Sequence, residues 1–264
     1  MQQEYIEINR ENWNKRASIH VETEFYAMPA FKSGKNSLNP EDVKLLGDVK
    51  GLSVLHLQCH FGQDTISLSR MGAKATGVDL SDTAINLAEK LSKELSTDTR
   101  FIRSDIYNLP KVHDEKYDIV YTSYGTIGWL PDIDAWAKVV SHFVKPGGRF
   151  IFVEFHPFLW SFDNSFEKIH YDYFKGDPII ESETGTYADI NNSTRIDSVT
   201  WNHGLAEVMQ ALINNGLQVE HFGEYDHSPY NIFPNGIEIE PGKFKPVNCK
   251  YRIPIVYSIS ARKL

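Results

Sequence analysis

The spacing of apolar and polar positions changes character along the chain, and the clearest rhythm starts at Leu52. Short apolar runs at 53–57, 74–79, about 100–104, 117–122 and 149–155 read as five strands. Between them lie segments of helical spacing. Residues 64–71 form one, with Asp64 in the first turn, where the helix dipole favours an anion. Ser81 caps the next, whose Ala84, Ala88, Leu91 and Leu95 share a face. A third follows Pro131 and points Ile133, Trp136, Val139, Val140 and Phe143 inward. The run Lys145-Pro146-Gly147-Gly148 predicts a sharp turn into the fifth strand. Strand alternating with helix implies a parallel sheet covered on both faces.

The flanks are less regular. Residues 3–20 are polar with Tyr5, Ile6, Ile8 and Trp13 scattered through them, which predicts one or two short helices. A loop is expected at 26–38, then a helix capped by Asn39 with Pro40 at its first position. After His156 the alternation breaks, and 157–200 show no clear period. A helix from Leu205 closes on Gly216. Strands at 217–224 and 253–261 end the chain, joined by a loop of about 28 residues, a length that is usually functional. The reading is a single domain over 1–264. It has a helical cap (1–50), a ligand-binding core (51–156), an aromatic-rich insertion (157–202), and a closing helix with an antiparallel strand pair (203–264).

Composition narrows the classes. With 27 basic against 35 acidic residues and a net charge of −8, the chain has no basic footprint for nucleic acid. Cys59 and Cys249 are too few for a disulfide framework and suggest a reducing compartment. No signal-peptide core and no run of 18 apolar residues is found, so the expected setting is the cytoplasm, away from membranes.

The candidate chemistry lies between Ser53 and Leu80. An apolar strand leads into the loop Gln58-Cys59-His60-Phe61-Gly62, then a helix, then a second strand ending in Asp79. An acid at that strand tip stands where doubly wound folds bind a ribose diol. A dinucleotide site needs several glycines so that backbone amides can close on a pyrophosphate, and here only Gly62 is present. A ribose-bearing ligand without a phosphate fits better, and S-adenosyl-L-methionine is the commonest such cofactor.

Five features in order, V-L-H-L-Q-C-H-F-G-Q-D-T, V-D-L-S at 78–81, S-D-I-Y at 104–107, Y-D-I-V-Y-T-S-Y at 117–124 and K-P-G-G at 145–148, carry a resemblance. The chain resembles the class I S-adenosylmethionine-dependent methyltransferases, in a bacterial small-molecule branch, over roughly 50–156 and 203–264. The resemblance implies an α/β, Rossmann-like, doubly wound seven-stranded sheet with the last strand antiparallel and insertions after strands 5 and 6. It implies a methyl transfer to a small-molecule acceptor. Asp79, with Leu80 beside it, would accept both ribose hydroxyls. Asp105 and Ile106 would flank adenine; the alternative for Asp105 is a helix cap or a turn acid. Gln58, His60 and Gly62 would face the methionine part, their side chains either bonding it or shaping the cavity. His56 stands where many members have an acid, so carbonyl groups, one from Ser123, would hold the amino group instead.

On the acceptor side, Tyr124, His156 and Tyr230 are the candidate catalytic residues. His156 is the candidate base because histidine titrates near neutrality; His203 ranks below it. Residues 157–200 and 225–252 are expected to roof the pocket, and Trp13 either closes over the cofactor or sits in the core. Eight aromatics between Pro157 and Ile190, in a chain that is 12% aromatic, make either a lid or a satellite cluster. A metal site built on His56, Cys59 and His60 lacks a partner cluster and is not expected. Two competing functions remain: a non-catalytic adenosyl-ligand binding protein on the same fold, and an NAD-dependent dehydrogenase, which the crowded loop disfavours.

Overall fold

The computed structural model describes residues 2–247 and 251–264; Cys249 lies outside them. In chain order the elements are α1 (Gln2–His20), α2 (Met28–Lys32), α3 (Pro40–Leu46), β1 (Ser53–Leu57), α4 (Gln63–Arg70), β2 (Lys74–Asp79), α5 (Asp82–Glu94) and β3 (Arg100–Arg103). Next come α6 (Leu109–Val112), β4 (Tyr117–Ser123), α7 (Ile133–Phe143), β5 (Val144–Phe155), β6 (Ile179–Thr184) and β7 (Arg195–Thr200). The chain closes with α8 (Leu205–Asn214), β8 (Leu217–Tyr225), β9 (Gly236–Glu240), β10 (Lys243–Pro246) and β11 (Val256–Lys263).

Seven strands form one sheet in the order β3-β2-β1-β4-β5-β11-β8. The first five are mutually parallel, and β11 runs antiparallel between β5 and β8. Alternate residues of each strand serve opposite cores. Leu55, Val120, Phe150 and Phe152 pack with Trp136 and Phe143 of α7 and Leu212 of α8 on one face. Val54, Ile119 and Ile151 pack with Leu46 of α3 and Leu68 of α4 on the other. Strands buried on both sides read as continuous apolar runs, which is why the sequence shows them so clearly. Strand order reverses between β1 and β4, and the loops leaving their carboxyl ends part there to open a crevice.

Gly62 lets α4 start close to the sheet. Its φ is +81°, and a Cβ there would meet the Phe101 ring at 2.6 Å and the Ala88 methyl at 2.9 Å. Ser81 caps α5 by accepting the Ala84 N–H at 3.0 Å. At α3 the Asn39 N–H donates to Asp42 Oδ2 at 3.1 Å.

Several local expectations need correction. The amino-terminal segment is one helix of 19 residues rather than short pieces. Tertiary contacts stabilise it: the Asn9 side chain donates to Val199 O at 2.7 Å and accepts Val199 N–H at 3.0 Å, so α1 is tied to β7. The loop expected at 26–38 includes α2. Lys145–Gly148 do not precede β5 but bulge within it: Tyr117 pairs with Val144, and the next pair is Ile119 with Arg149. Each insertion holds an antiparallel hairpin, β6–β7 and β9–β10, whose pairing carried no periodic signal.

The aromatics of 157–190 form mainly a satellite cluster. Phe158 meets Phe162 edge-on, Trp160 packs on Phe155, and Phe166 on Phe233.

Candidate functional site

A single large cavity of about 700 Å3 opens over the carboxyl ends of β1, β2 and β4. That volume lies within the usual range for small-molecule sites. Gln58, His60, Gly62, Asp79, Leu80, Asp105, Ile106 and Ser123 all line it, as do Tyr124 and Tyr230. The fold thus brings together ten of the eleven candidate residues, and His156 is the exception.

The loop from β1 is held in an unusual backbone state. Gln58, His60 and Tyr124 have φ of 55°, 52° and 47°, the left-handed region that non-glycine residues rarely enter. Ala27, at 42°, shares both that conformation and the cavity wall. Strain of this kind persists where surrounding structure enforces it, and it gathers at ligand sites. Asp79 helps enforce it: Oδ2 accepts the His60 N–H at 2.7 Å, and Oδ1 accepts the Ser81 N–H at 2.9 Å. A carboxylate offers about four lone-pair positions, so these two bonds leave acceptor capacity for the cavity side. Burial pushes the Asp79 carboxyl up to about 6, and the backbone N–H groups of Ser81, His60 and Leu80 work against that rise.

Asp105 is a turn acid that also faces the cavity. It lines the cavity, and its carboxylate accepts the Asn108 N–H at 3.0 Å and the Asn108 amide at 2.6 Å. His56 is buried, with Nδ1 2.9 Å from Thr65 Oγ1, and burial lowers it to about 3. It is a neutral residue on the cavity wall. His60 is also neutral, lowered to about 3 by burial and then by the field of Arg16.

An aromatic wall closes the amino-terminal side. Trp13 lies edge-on to His60 and to Trp129, at 5.4 and 5.1 Å between centroids. The Arg16 guanidinium stands over both tryptophans, at 5.7 and 5.8 Å. Phe25, Tyr124 and Tyr230 meet in turn, and Tyr26 and Tyr187 share a 2.6 Å hydrogen bond between hydroxyls. Burial raises Tyr26, Tyr124 and Tyr230 well above the ordinary phenol value, so they face the cavity as neutral phenols.

His156 sits elsewhere. Its Nδ1 accepts the Phe158 N–H at 3.1 Å, its Nε2 lies 3.1 Å from Glu224, and its ring meets Tyr257 edge-on. Following β5 in the same register as Phe152 and Glu154, it falls over β11 and β8 on the α7–α8 face rather than on the cavity. It is therefore removed as a candidate base. His203 is likewise taken up by protein partners, with Nε2 2.8 Å from Leu130 O and Nδ1 3.1 Å from Glu207.

The roof also differs from expectation. Of residues 157–200 only Tyr187 lines the cavity, whereas 225–252 contribute Pro229, Tyr230 and the turn Pro241–Lys243. The larger share comes from the amino-terminal segment, including Trp13, Phe25, Tyr26 and residues 35–41. Sequence reasoning missed these except for Trp13; the aromatic pair Phe25-Tyr26 in an otherwise polar stretch was the available signal. Asp64 was placed in a helix turn but not in the cavity, where the structure puts it. Among the described residues no cluster of histidine, cysteine and acid side chains is arranged to hold a metal ion. No described helix is long and apolar enough to cross a membrane.

Residues 54–148 match a family model described as a methyltransferase domain. Over 130 residues the chain is 33% identical to a demethylmenaquinone methyltransferase of Lactococcus lactis, covering 47% of this chain and 51% of that one. Over 117 residues it is 27% identical to a ubiquinone biosynthesis O-methyltransferase of Hydrogenovibrio crunogenus, covering 44% and 48%. The chain spans about half the length of these curated relatives. Among solved structures, one described as an S-adenosylmethionine-dependent methyltransferase from Listeria monocytogenes superposes with a TM-score of 0.58. That match has 22% identity and covers 89% of this chain and 99% of that one. The DhpI–SAH complex superposes with a TM-score of 0.59 at 18% identity, covering 100% and 99%.

The fold is therefore that of the class I S-adenosylmethionine-dependent methyltransferases. Residues 54–148, the stretch that matches the methyltransferase-domain model, hold β1 to the start of β5 in it.

Proposed function

We propose that the protein is an S-adenosyl-L-methionine-dependent methyltransferase acting on a small-molecule acceptor. The observation that carries this reading is the charge of the cavity. Its buried ionisable wall is acidic, with Asp64 and Asp79 in the lining. Of its two lining lysines, Lys35 is exposed to solvent and Lys243 lies 2.6 Å from Glu240. A pyrophosphate would be repelled there, whereas a ligand with a ribose and a positive charge is favoured. The curated relatives, whose names describe methylation of quinone precursors, support a small-molecule acceptor.

The cofactor supplies the activated methyl group, and the protein's residues position and desolvate. Asp79 accepts the ribose hydroxyls with its free lone pairs, next to Leu80. Ile106 covers a face of adenine, and Asp105 accepts from the exocyclic amine with the positions Asn108 leaves open. The strained loop at Gln58 and His60, over Gly62, meets the methionine part, opposite Ser123. Tyr124 and Tyr230 form the acceptor end. As neutral phenols they donate hydrogen bonds and exclude water; they do not serve as bases near neutral pH. With His156 turned away, alignment and desolvation are the chain's contribution to the rate.

Calorimetry with S-adenosylhomocysteine and with NAD separates the cofactor readings: a micromolar dissociation constant is expected for the first and none for the second. Transfer of label from methyl-tritiated cofactor into a metabolite extract then separates an enzyme from a non-catalytic binder. Absence of transfer with binding intact would favour the binder.

A further inference from the structure

Two carboxylates beside the cavity have no cation to offset them. Asp64, the second residue of α4, lines the cavity. Asp42 is 1% exposed, takes the Asn39 N–H and the Tyr124 hydroxyl on Oδ2, and has no partner for Oδ1. The two repel each other, and no lysine, arginine or histidine forms an ion pair with either among the described residues. Holding unpaired charge out of water is costly, so the arrangement suits a cationic group arriving with a ligand.

Two other groups of the cavity lining are also left incomplete. The Gln58 amide is fixed by donating to Thr126 O at 2.8 Å, and its Oε1 has no partner. His56, 3% exposed and on the cavity wall, has no partner for Nε2. An amide oxygen oriented by its own donor is an acceptor waiting for an N–H.

Position points to the part of the ligand concerned. With Asp79 at the ribose and Ile106 at adenine, the remaining length runs from the β1 loop toward Ser123. Asp64 stands two residues beyond Gly62 on the helix that leaves this loop, and it lines the same cavity as His56, Gln58 and Ser123. We infer that Asp64 is the carboxylate that holds the α-ammonium of the bound cofactor, with Gln58 Oε1 as a second acceptor, in place of the acid that His56 cannot be. The inference rests on the cofactor reading above.

Three ligands test it by calorimetry: S-adenosylhomocysteine, its des-amino analogue, and 5′-methylthioadenosine, which lacks the amino-acid part. Asp64→Asn keeps the side chain's shape and should weaken S-adenosylhomocysteine by about 10- to 100-fold, as expected for one charge-assisted contact. The other two ligands should change by less than about twofold, and their retained binding reports that the variant is folded. The des-amino analogue should bind the unmodified protein more weakly than S-adenosylhomocysteine by a similar factor, a measurement that needs no variant. Equal loss for all three ligands, or an unchanged constant for S-adenosylhomocysteine, would overturn the inference while leaving the cofactor reading intact. Failure of the unmodified protein to bind S-adenosylhomocysteine at all would overturn both.

Discussion

Asp79 and Glu154 occupy equivalent places, each a buried acid at the carboxyl end of a parallel strand, yet they do opposite work. Asp79 receives two backbone N–H groups and keeps lone pairs facing the cavity. Glu154 receives the N–H groups of Thr126, Ile127 and Phe155 at 2.7, 3.2 and 2.7 Å, the Thr126 hydroxyl at 2.8 Å, and the Gly125 N–H. It is saturated by protein and anchors the turn that carries Tyr124 and Trp129. What separates the two acids is how many protein donors reach each of them. The same contrast extends to the two halves of the sheet. At the β1–β2 end polar groups turn to the cavity with partners missing, whereas at the β5–β11–β8 end Glu154 and His156 close on the protein itself.

The comparison breaks first if Glu154 proves dispensable. Glu154→Ala strands four or five donors, so a loss of about 3–5 kcal/mol in urea unfolding is expected. A loss below about 1 kcal/mol would mean the turn is held by other contacts.

Asp79→Ala should do the reverse, weakening S-adenosylhomocysteine by about 2–4 kcal/mol while changing stability by about 1 kcal/mol or less. Asp79→Asn should fall between, since one acceptor oxygen survives. Titration calorimetry beside thermal unfolding reads both quantities, and an unchanged dissociation constant would move the ribose site elsewhere.

Dependence on pH sharpens the same point. Asp42 and Asp79 hold protons more tightly than an ordinary carboxyl at 3.8, at about 7 and about 6. Both acids keep protons in the native state that the unfolded chain has lost between 3.8 and about 7. Their contribution to stability is fullest below that window and is lost as pH rises through it, by up to about 1.4 kcal/mol per pH unit for each group. The buried neutral rings of His20, His56 and His60, lowered from 6.5 to about 2, 3 and 3, act in the opposite sense below 6.5. The acid effect is therefore read as a difference: relative to the unmodified protein, Asp42→Asn should gain stability in urea unfolding as pH rises from about 5 to about 8. Affinity for S-adenosylhomocysteine should rise through about pH 6 as Asp79 ionises. A stability difference for Asp42→Asn that does not change with pH would contradict the burial of that acid.

The smallest effect belongs to His156. Replacement by alanine removes one accepted hydrogen bond and the contact with Glu224, a cost of about 1–2 kcal/mol. Cofactor affinity and turnover per folded molecule should stay unchanged. Turnover falling by about a hundredfold or more with the protein folded would restore His156 to the chemistry.

The sequence by itself determined the sheet and the end of it where the cavity lies. Strands buried on both faces, a glycine at the start of α4, and an acid at a strand tip are local consequences of residue type and spacing. They were readable at Ser53–Asp79 and Tyr117–Phe155 without coordinates. The tertiary structure decided which polar residues face the cavity. A strand end offers two faces, and nothing in E-F-H at 154–156 says that Glu154 meets the 125–127 turn or that His156 meets Glu224. The cavity's other wall comes from α1 and residues 25–41, far away in sequence and docked through contacts such as Asn9 with Val199. Such long-range pairing leaves no period in the chain, because the partners are chosen by packing rather than by neighbours.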